Sequence, residues 1–89
     1  MRYGVEISEF AEKELLKLDS SQRRQIMAWI KKNLVDCEDP RRTGHPLTGE
    51  FQGLWRYRVG RYRIIAEIID SRLVIVVVEV GHRKNIYDA

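Results

Sequence analysis

The 89 residues suffice for one domain around a single core, and a chain of this size leaves roughly a third or more of its unfolded surface exposed. An apolar share of 44% with 33% charge is ordinary globular composition, and a net charge of +3, from sixteen Lys and Arg against thirteen Asp and Glu, selects no partner class by itself. One cysteine, Cys37, excludes an intramolecular disulfide, and the longest apolar run, Leu73 to Val78, is too short to cross a bilayer as a helix. With no apolar leader before the first alternating segment, the chain reads as one soluble, cytoplasmic domain over 1–89 with no membrane partner.

Tyr3, Val5 and Ile7 alternate with Gly4 and Glu6, which predicts an opening strand. Ser8 is placed to cap a helix that buries Phe10, Ala11, Leu15 and Leu18 and exposes Glu12, Lys13, Glu14 and Lys17. Asp19 followed by Gln22 has the spacing of a capping box, with Ser20 or Ser21 able to serve in its place, and starts a second helix with Ile26, Met27, Ile30 and Leu34 as its apolar stripe and Trp29 on the flank. Two such helices form a hairpin whose apolar side needs a sheet to cover. Cys37 to Gly53 is irregular, broken by Asp39-Pro40, Gly44, Pro46, Gly49 and Gly53.

Leu54 to Val80 is the organising stretch. Gly60-Arg61 between two alternating runs is a tight hairpin turn, so Val59 should pair with Tyr62, Arg58 with Arg63, Tyr57 with Ile64 and Arg56 with Ile65. One face then carries Trp55, Tyr57, Val59, Tyr62, Ile64 and Ala66, and the other Arg56, Arg58 and Arg63. Like charges directly opposite each other destabilise a sheet, and along these strands only Glu67 offsets them, so a functional, anion-binding reading is preferred to a plain solvated face. Asp70-Ser71 makes a second turn, and Leu73 to Val80, apolar on both faces, is expected to be a central strand. Gly81 is expected to bend the chain out of that strand and bring His82, Arg83, Lys84 and Tyr87 near its end.

Other candidates have bland readings beside the sharp ones. Arg61 is a turn residue, Trp29 and Trp55 read as core, and Tyr87 is as readily a packing anchor as a stacking platform. His45 and His82 are lone histidines, and with Cys37 they lack any metal-ligand spacing, so neither a metal nor a cofactor is expected. No serine-elbow, Walker or dinucleotide motif is present.

The run Asp39-Pro40-Arg41, Gly44, Pro46-Leu47, Gly49, then WRYRVGRYRII and finally VEVGHRKNIY resembles the RelE toxins of the RelE/ParE superfamily of bacterial toxin–antitoxin systems. The resemblance implies an α+β fold: a small antiparallel sheet with an N-terminal strand and a two-helix hairpin on one face, the other face concave and basic. It also implies a ribosome-dependent, metal-independent endoribonuclease that cuts messenger RNA in the A site, and a cognate acidic antitoxin that joins the toxin in a hetero-oligomer. Carried over residue by residue, the family's catalytic set falls on Arg56, Arg58, Arg63, Arg83 and Tyr87, with His82 and Lys84 as possible accessories. The best-known member has lysines where Arg56 and Arg58 stand, and this chain stops two residues after Tyr87. The alternatives are a ParE-type poison of DNA gyrase and a non-catalytic module that binds RNA or a partner.

Overall fold

The computed structural model describes residues 1–82. In chain order the elements are β1 (Gly4–Ile7), α1 (Glu9–Leu16), α2 (Ser20–Asn33), β2 (His45–Pro46), β3 (Leu54–Val59), β4 (Tyr62–Ile69) and β5 (Val74–His82), with single 3-10 turns at Gly49–Phe51 and Asp70–Arg72. Both helix starts follow the sequence reading. The Ser8 hydroxyl accepts from the Ala11 N–H at 3.1 Å, and Asp19 Oδ1 accepts from the Gln22 N–H at 2.9 Å. Each bond satisfies an amide that the first turn of a helix otherwise leaves without a partner.

The five strands lie in the order β1-β5-β4-β3-β2. The α+β class and the helical pair on one face are as expected, but the sheet is mixed. β1 runs parallel to β5, with Gly4 opposite Val74 and Ile7 opposite Val77. A parallel neighbour needs a long crossover, and the helical hairpin lies within the chain that separates these two strands. β5, apolar on both faces, sits between β1 and β4 as its composition demands.

The main core fills the space between helices and sheet. Each helix buries one i, i+4 row: Ala11 and Leu15 from α1, and Ile26 and Ile30 from α2, continued by Leu34 at its C-cap. Complete burial of one such large aliphatic side chain contributes roughly 1.5–3 kcal/mol. Phe10 and Met27, expected in these stripes, are 58% and 37% exposed. Each stands one residue from the buried row, a rotation of about 100° that carries it past the margin of a narrow contact.

Two further departures concern the strands. β5 does not bend out at Gly81: it continues to His82, with Gly81 opposite Arg63 and His82 opposite Tyr62. The loop between α2 and β3 also contributes a strand, because His45 and Pro46 pair with Arg56 and Trp55. Proline is tolerated there because β2 is an edge strand, where a missing N–H breaks no inner ladder.

Candidate functional site

The β3–β4 hairpin has the predicted register: Val59 faces Tyr62, Arg58 faces Arg63, Tyr57 faces Ile64 and Arg56 faces Ile65. Gly60, at φ 59°, supplies the left-handed backbone that this two-residue turn needs at its first position. Tyr57, Val59, Ile64 and Ala66 point into the main core. Side chains alternate along a strand, so Arg56, Arg58 and Arg63 share the opposite face. Directly opposed residues have Cβ atoms about 4.5–5.5 Å apart. Arg58 and Arg63 are therefore close neighbours, and Arg56 stands one step along, about 6.6 Å away by the rise of two strand residues.

The three arginines are not equivalent. Arg58 is exposed, Arg56 is half-buried and Arg63 is only 4% exposed. Arg56 and Arg63 also have interactions within the chain, so mutual repulsion is not the sole force on them. Nor is the whole face cationic. Leu47 and Ile65 are buried on it, packed with Phe51, Leu54 and Val78. The 3-10 turn at Gly49–Phe51 brings Phe51 to this second small core, leaving the hairpin-tip end of the face to the arginines.

Two neighbours escaped the sequence reading. His45 is exposed on β2 in register with Arg56, and Leu47, two residues on, donates its N–H to the Leu54 carbonyl at 2.9 Å. Because Leu47 belongs to the second core, His45 shares its face and extends the row His45, Arg56, Ile65. The signal was a two-residue alternation, His45 and Leu47 about Pro46, too short to distinguish from a loop. The other is Glu79. A bulge between Ile65 and Ala66 inserts Val78 and sets Glu79 opposite Ile65. Burial first, and the charge of Glu14 second, push the Glu79 carboxyl above its usual range.

His82, a possible accessory residue in the sequence reading, stands opposite Tyr62 and meets its ring edge-on, with centroids 5.8 Å apart. Tyr62 packs against the main core, so His82 lies on the helix side, across the sheet from the arginines. Arg83, Lys84 and Tyr87 fall outside the described residues. Two ion pairs among the described residues, Arg41 with Asp70 and Arg72 with Glu6, involve none of the three face arginines. Arg41 grips both Asp70 oxygens, at 3.1 and 2.8 Å, while its guanidinium lies 5.6 Å from the Trp55 ring centroid. The Tyr3 hydroxyl donates to the same carboxylate at 2.6 Å, so this cluster ties the sheet to the loop after α2.

A sheet face bearing clustered guanidinium groups is suited to a phosphate-bearing polymer, because the planar fork donates two parallel hydrogen bonds to phosphate oxygens. The family model for the "ParE toxin of type II toxin-antitoxin system, parDE" matches residues 5–87. The chain is 31% identical over 87 residues to the toxin RelG of Mycobacterium tuberculosis, covering 98% of each chain. It belongs to the RelE/ParE superfamily of type II toxins. This RelE-like toxin is also 35% identical over 87 residues to the mRNA interferase toxin RelE of Escherichia coli K12, covering 96% of this chain and 87% of that one. Among solved structures, the RelBE toxin–antitoxin complex of M. tuberculosis contains a chain that matches with a TM-score of 0.85 at 28% identity, covering 96% of this chain and 95% of that one. A double arginine-to-alanine mutant of E. coli RelE in the free state matches with a TM-score of 0.75 at 29% identity, covering 94% and 86%.

Proposed function

We propose that this RelE-like toxin is an endoribonuclease that cuts messenger RNA in the ribosomal A site. The observation that carries the reading is the arrangement of Arg56, Arg58 and Arg63 on the sheet face away from the helices. A relative 35% identical to this chain bears the name mRNA interferase, which agrees with that chemistry. In the reaction the RNA 2′-oxygen attacks the adjacent phosphorus, forming the P–O2′ bond as the P–O5′ bond breaks. The 2′-hydroxyl proton leaves to a base, and the departing 5′-oxygen takes a proton from an acid. The products are a 2′,3′-cyclic phosphate and a 5′-hydroxyl. Negative charge grows on the phosphorane oxygens, and preorganised guanidinium groups stabilise it without a bound metal. The ribosome supplies the substrate's orientation, so the toxin works in the cytoplasm and cuts free RNA poorly.

The test is cleavage of a defined message on programmed ribosomes, with 5′-end mapping. Arg63→Ala and Arg58→Ala should each slow cleavage on the order of a hundredfold, the loss typical of one donor to a developing anion. Because Arg63 is buried, its variant is judged only beside a melting curve, whereas Arg58 is exposed and serves as the second probe. Wild-type rates in folded variants would reject the assignment. A cognate acidic antitoxin, bound in a hetero-oligomer, is the expected silencing partner. The solved RelBE complex among the relatives supports that expectation.

A second reading is a ParE-type poison of DNA gyrase, favoured by the description of the matching family model. New message ends on expression support the nuclease, and a DNA-damage response with intact messages supports the gyrase poison. Ribosome binding without either outcome would leave a non-catalytic binding module.

A further inference from the structure

Cleavage by 2′-hydroxyl attack moves two protons, and arginine can move neither at neutral pH because its guanidinium does not deprotonate in proteins. Among the described residues, the groups able to exchange a proton are few once their positions are known. Tyr57 is fully buried and donates to the Pro40 carbonyl at 2.5 Å, and burial pushes its phenol far up. Tyr3 is held by Asp70, and Tyr62 and His82 lie on the helix side. Glu79 feels the charge of Glu14, whose carboxylate accepts from the Val80 N–H at 2.8 Å, so this pair marks the α1 edge of β5. Glu67 is exposed on this face but pairs with Leu54 beside the second small core, one step beyond Arg56 and away from Arg58 and Arg63. His45 is exposed, shares the arginine face and stands directly across from Arg56.

We propose that His45 is a proton-transfer residue of the cleavage reaction, acting beside Arg56 at the β2 edge of the arginine face. The inference rests on the nuclease reading above. A phosphate held between Arg56 and Arg58 lies over β3, within one strand spacing, about 4.8 Å, of the strand that carries His45. In-line attack sets the 2′- and 5′-oxygens on opposite sides of phosphorus, and one of them faces β2. Imidazole serves either role there, accepting the 2′-hydroxyl proton or donating one to the 5′-oxygen. The charged groups around it are Arg56 and, one step along, Arg58 on the partner strand β3. The loop leading into β2 also carries Arg41 and Arg42, but Arg41 is tied to Asp70 over the Trp55 ring and Arg42 lies with Lys32 and Asn33 near the end of α2.

The experiment uses the whole toxin and programmed ribosomes under single-turnover conditions. His45→Gln should fold normally, bind ribosomes with the wild-type half-saturating concentration and cleave on the order of a hundredfold more slowly, the usual range for general acid–base groups. The limb of the pH–rate profile that belongs to an imidazole should vanish, and added imidazole should restore cleavage by His45→Gly. A substrate with a 5′-bridging sulfur, which leaves without protonation, divides the roles: restored cleavage by His45→Gln makes the residue the acid, and continued slow cleavage makes it the base. An unchanged rate and profile, a loss confined to ribosome binding, or no imidazole rescue would each overturn the proposal. If the wild-type toxin leaves the message intact, the nuclease reading itself fails. If the wild type cuts and His45→Gln cuts equally well, only the role of His45 fails.

Discussion

Gly44 controls how β2 is delivered to the arginine face, and Gly44→Ala tests this with one methyl group. A Cβ there would stand 2.8 Å from Tyr57 Cε1, 3.1 Å from Cζ and 3.3 Å from Cδ1. Carbon atoms in good contact are about 3.5–4.0 Å apart, so ring or loop must move by several tenths of an ångström. The ring has little room: Tyr57 is fully buried, packs against Trp29 at 5.6 Å and is pinned by its bond to the Pro40 carbonyl. Overpacking of this kind costs about 1–3 kcal/mol, and breaking the Pro40 bond as well adds about 1–3 kcal/mol for the stranded carbonyl. A cost of about 2 kcal/mol lowers the melting temperature of a domain this size by roughly 8–16 °C. Calorimetry or circular-dichroism melts measure it. In a Tyr57→Leu background the same glycine substitution should cost much less, because the opposing ring is gone. If Gly44→Ala melts within about 2 °C of wild type, at the noise of the ~4–8 °C per kcal/mol conversion, the packing account of this loop is wrong.

Three other outcomes are expected. Arg58→Glu replaces the like-charge pair with Arg63 by an opposite-charge one; it should raise stability by about 0.5–1 kcal/mol at low salt, less at high salt, while abolishing cleavage, as paired urea and ribosome assays would read. A variant both less stable and inactive would contradict the view that this face trades stability for binding. Asp70 is held below the usual carboxylate range by Arg41 first and Tyr3 second, so its ionised form stabilises the fold above an unfolded pKa of about 3.9 and that contribution is lost as pH falls through the lower folded value. Asp70→Asn should therefore flatten the acid limb of the stability curve, and urea midpoints that stay parallel to wild type from neutral to acid pH would refute it. Glu79 carries the opposite sign: its raised folded pKa makes the ionised carboxylate a cost that appears as pH rises past the unfolded value. Glu79→Gln should stabilise the protein at neutral pH and leave it unchanged in acid, and a neutral-pH loss would count against that burial account.

Local chemistry is what the amino-acid order could determine. The helix starts at Ser8 and Asp19 need only a side-chain oxygen and an amide three residues on, and the hairpin register needs only Gly60 between two alternating runs. From those, the shared face of Arg56, Arg58 and Arg63 follows without any tertiary contact. Pairings between distant segments were decided by the folded chain. The parallel union of β1 with β5, the continuation of β5 through Gly81, and the addition of β2 beside Arg56 each depend on which edge is left open once the helices are seated. Short pieces such as His45–Pro46 carry too little alternation to declare themselves as strands. Only the completed sheet gives His45 a neighbour, puts His82 on the far side and separates a buried Arg63 from an exposed Arg58, because burial depends on the whole packed assembly and alternation fixes only direction.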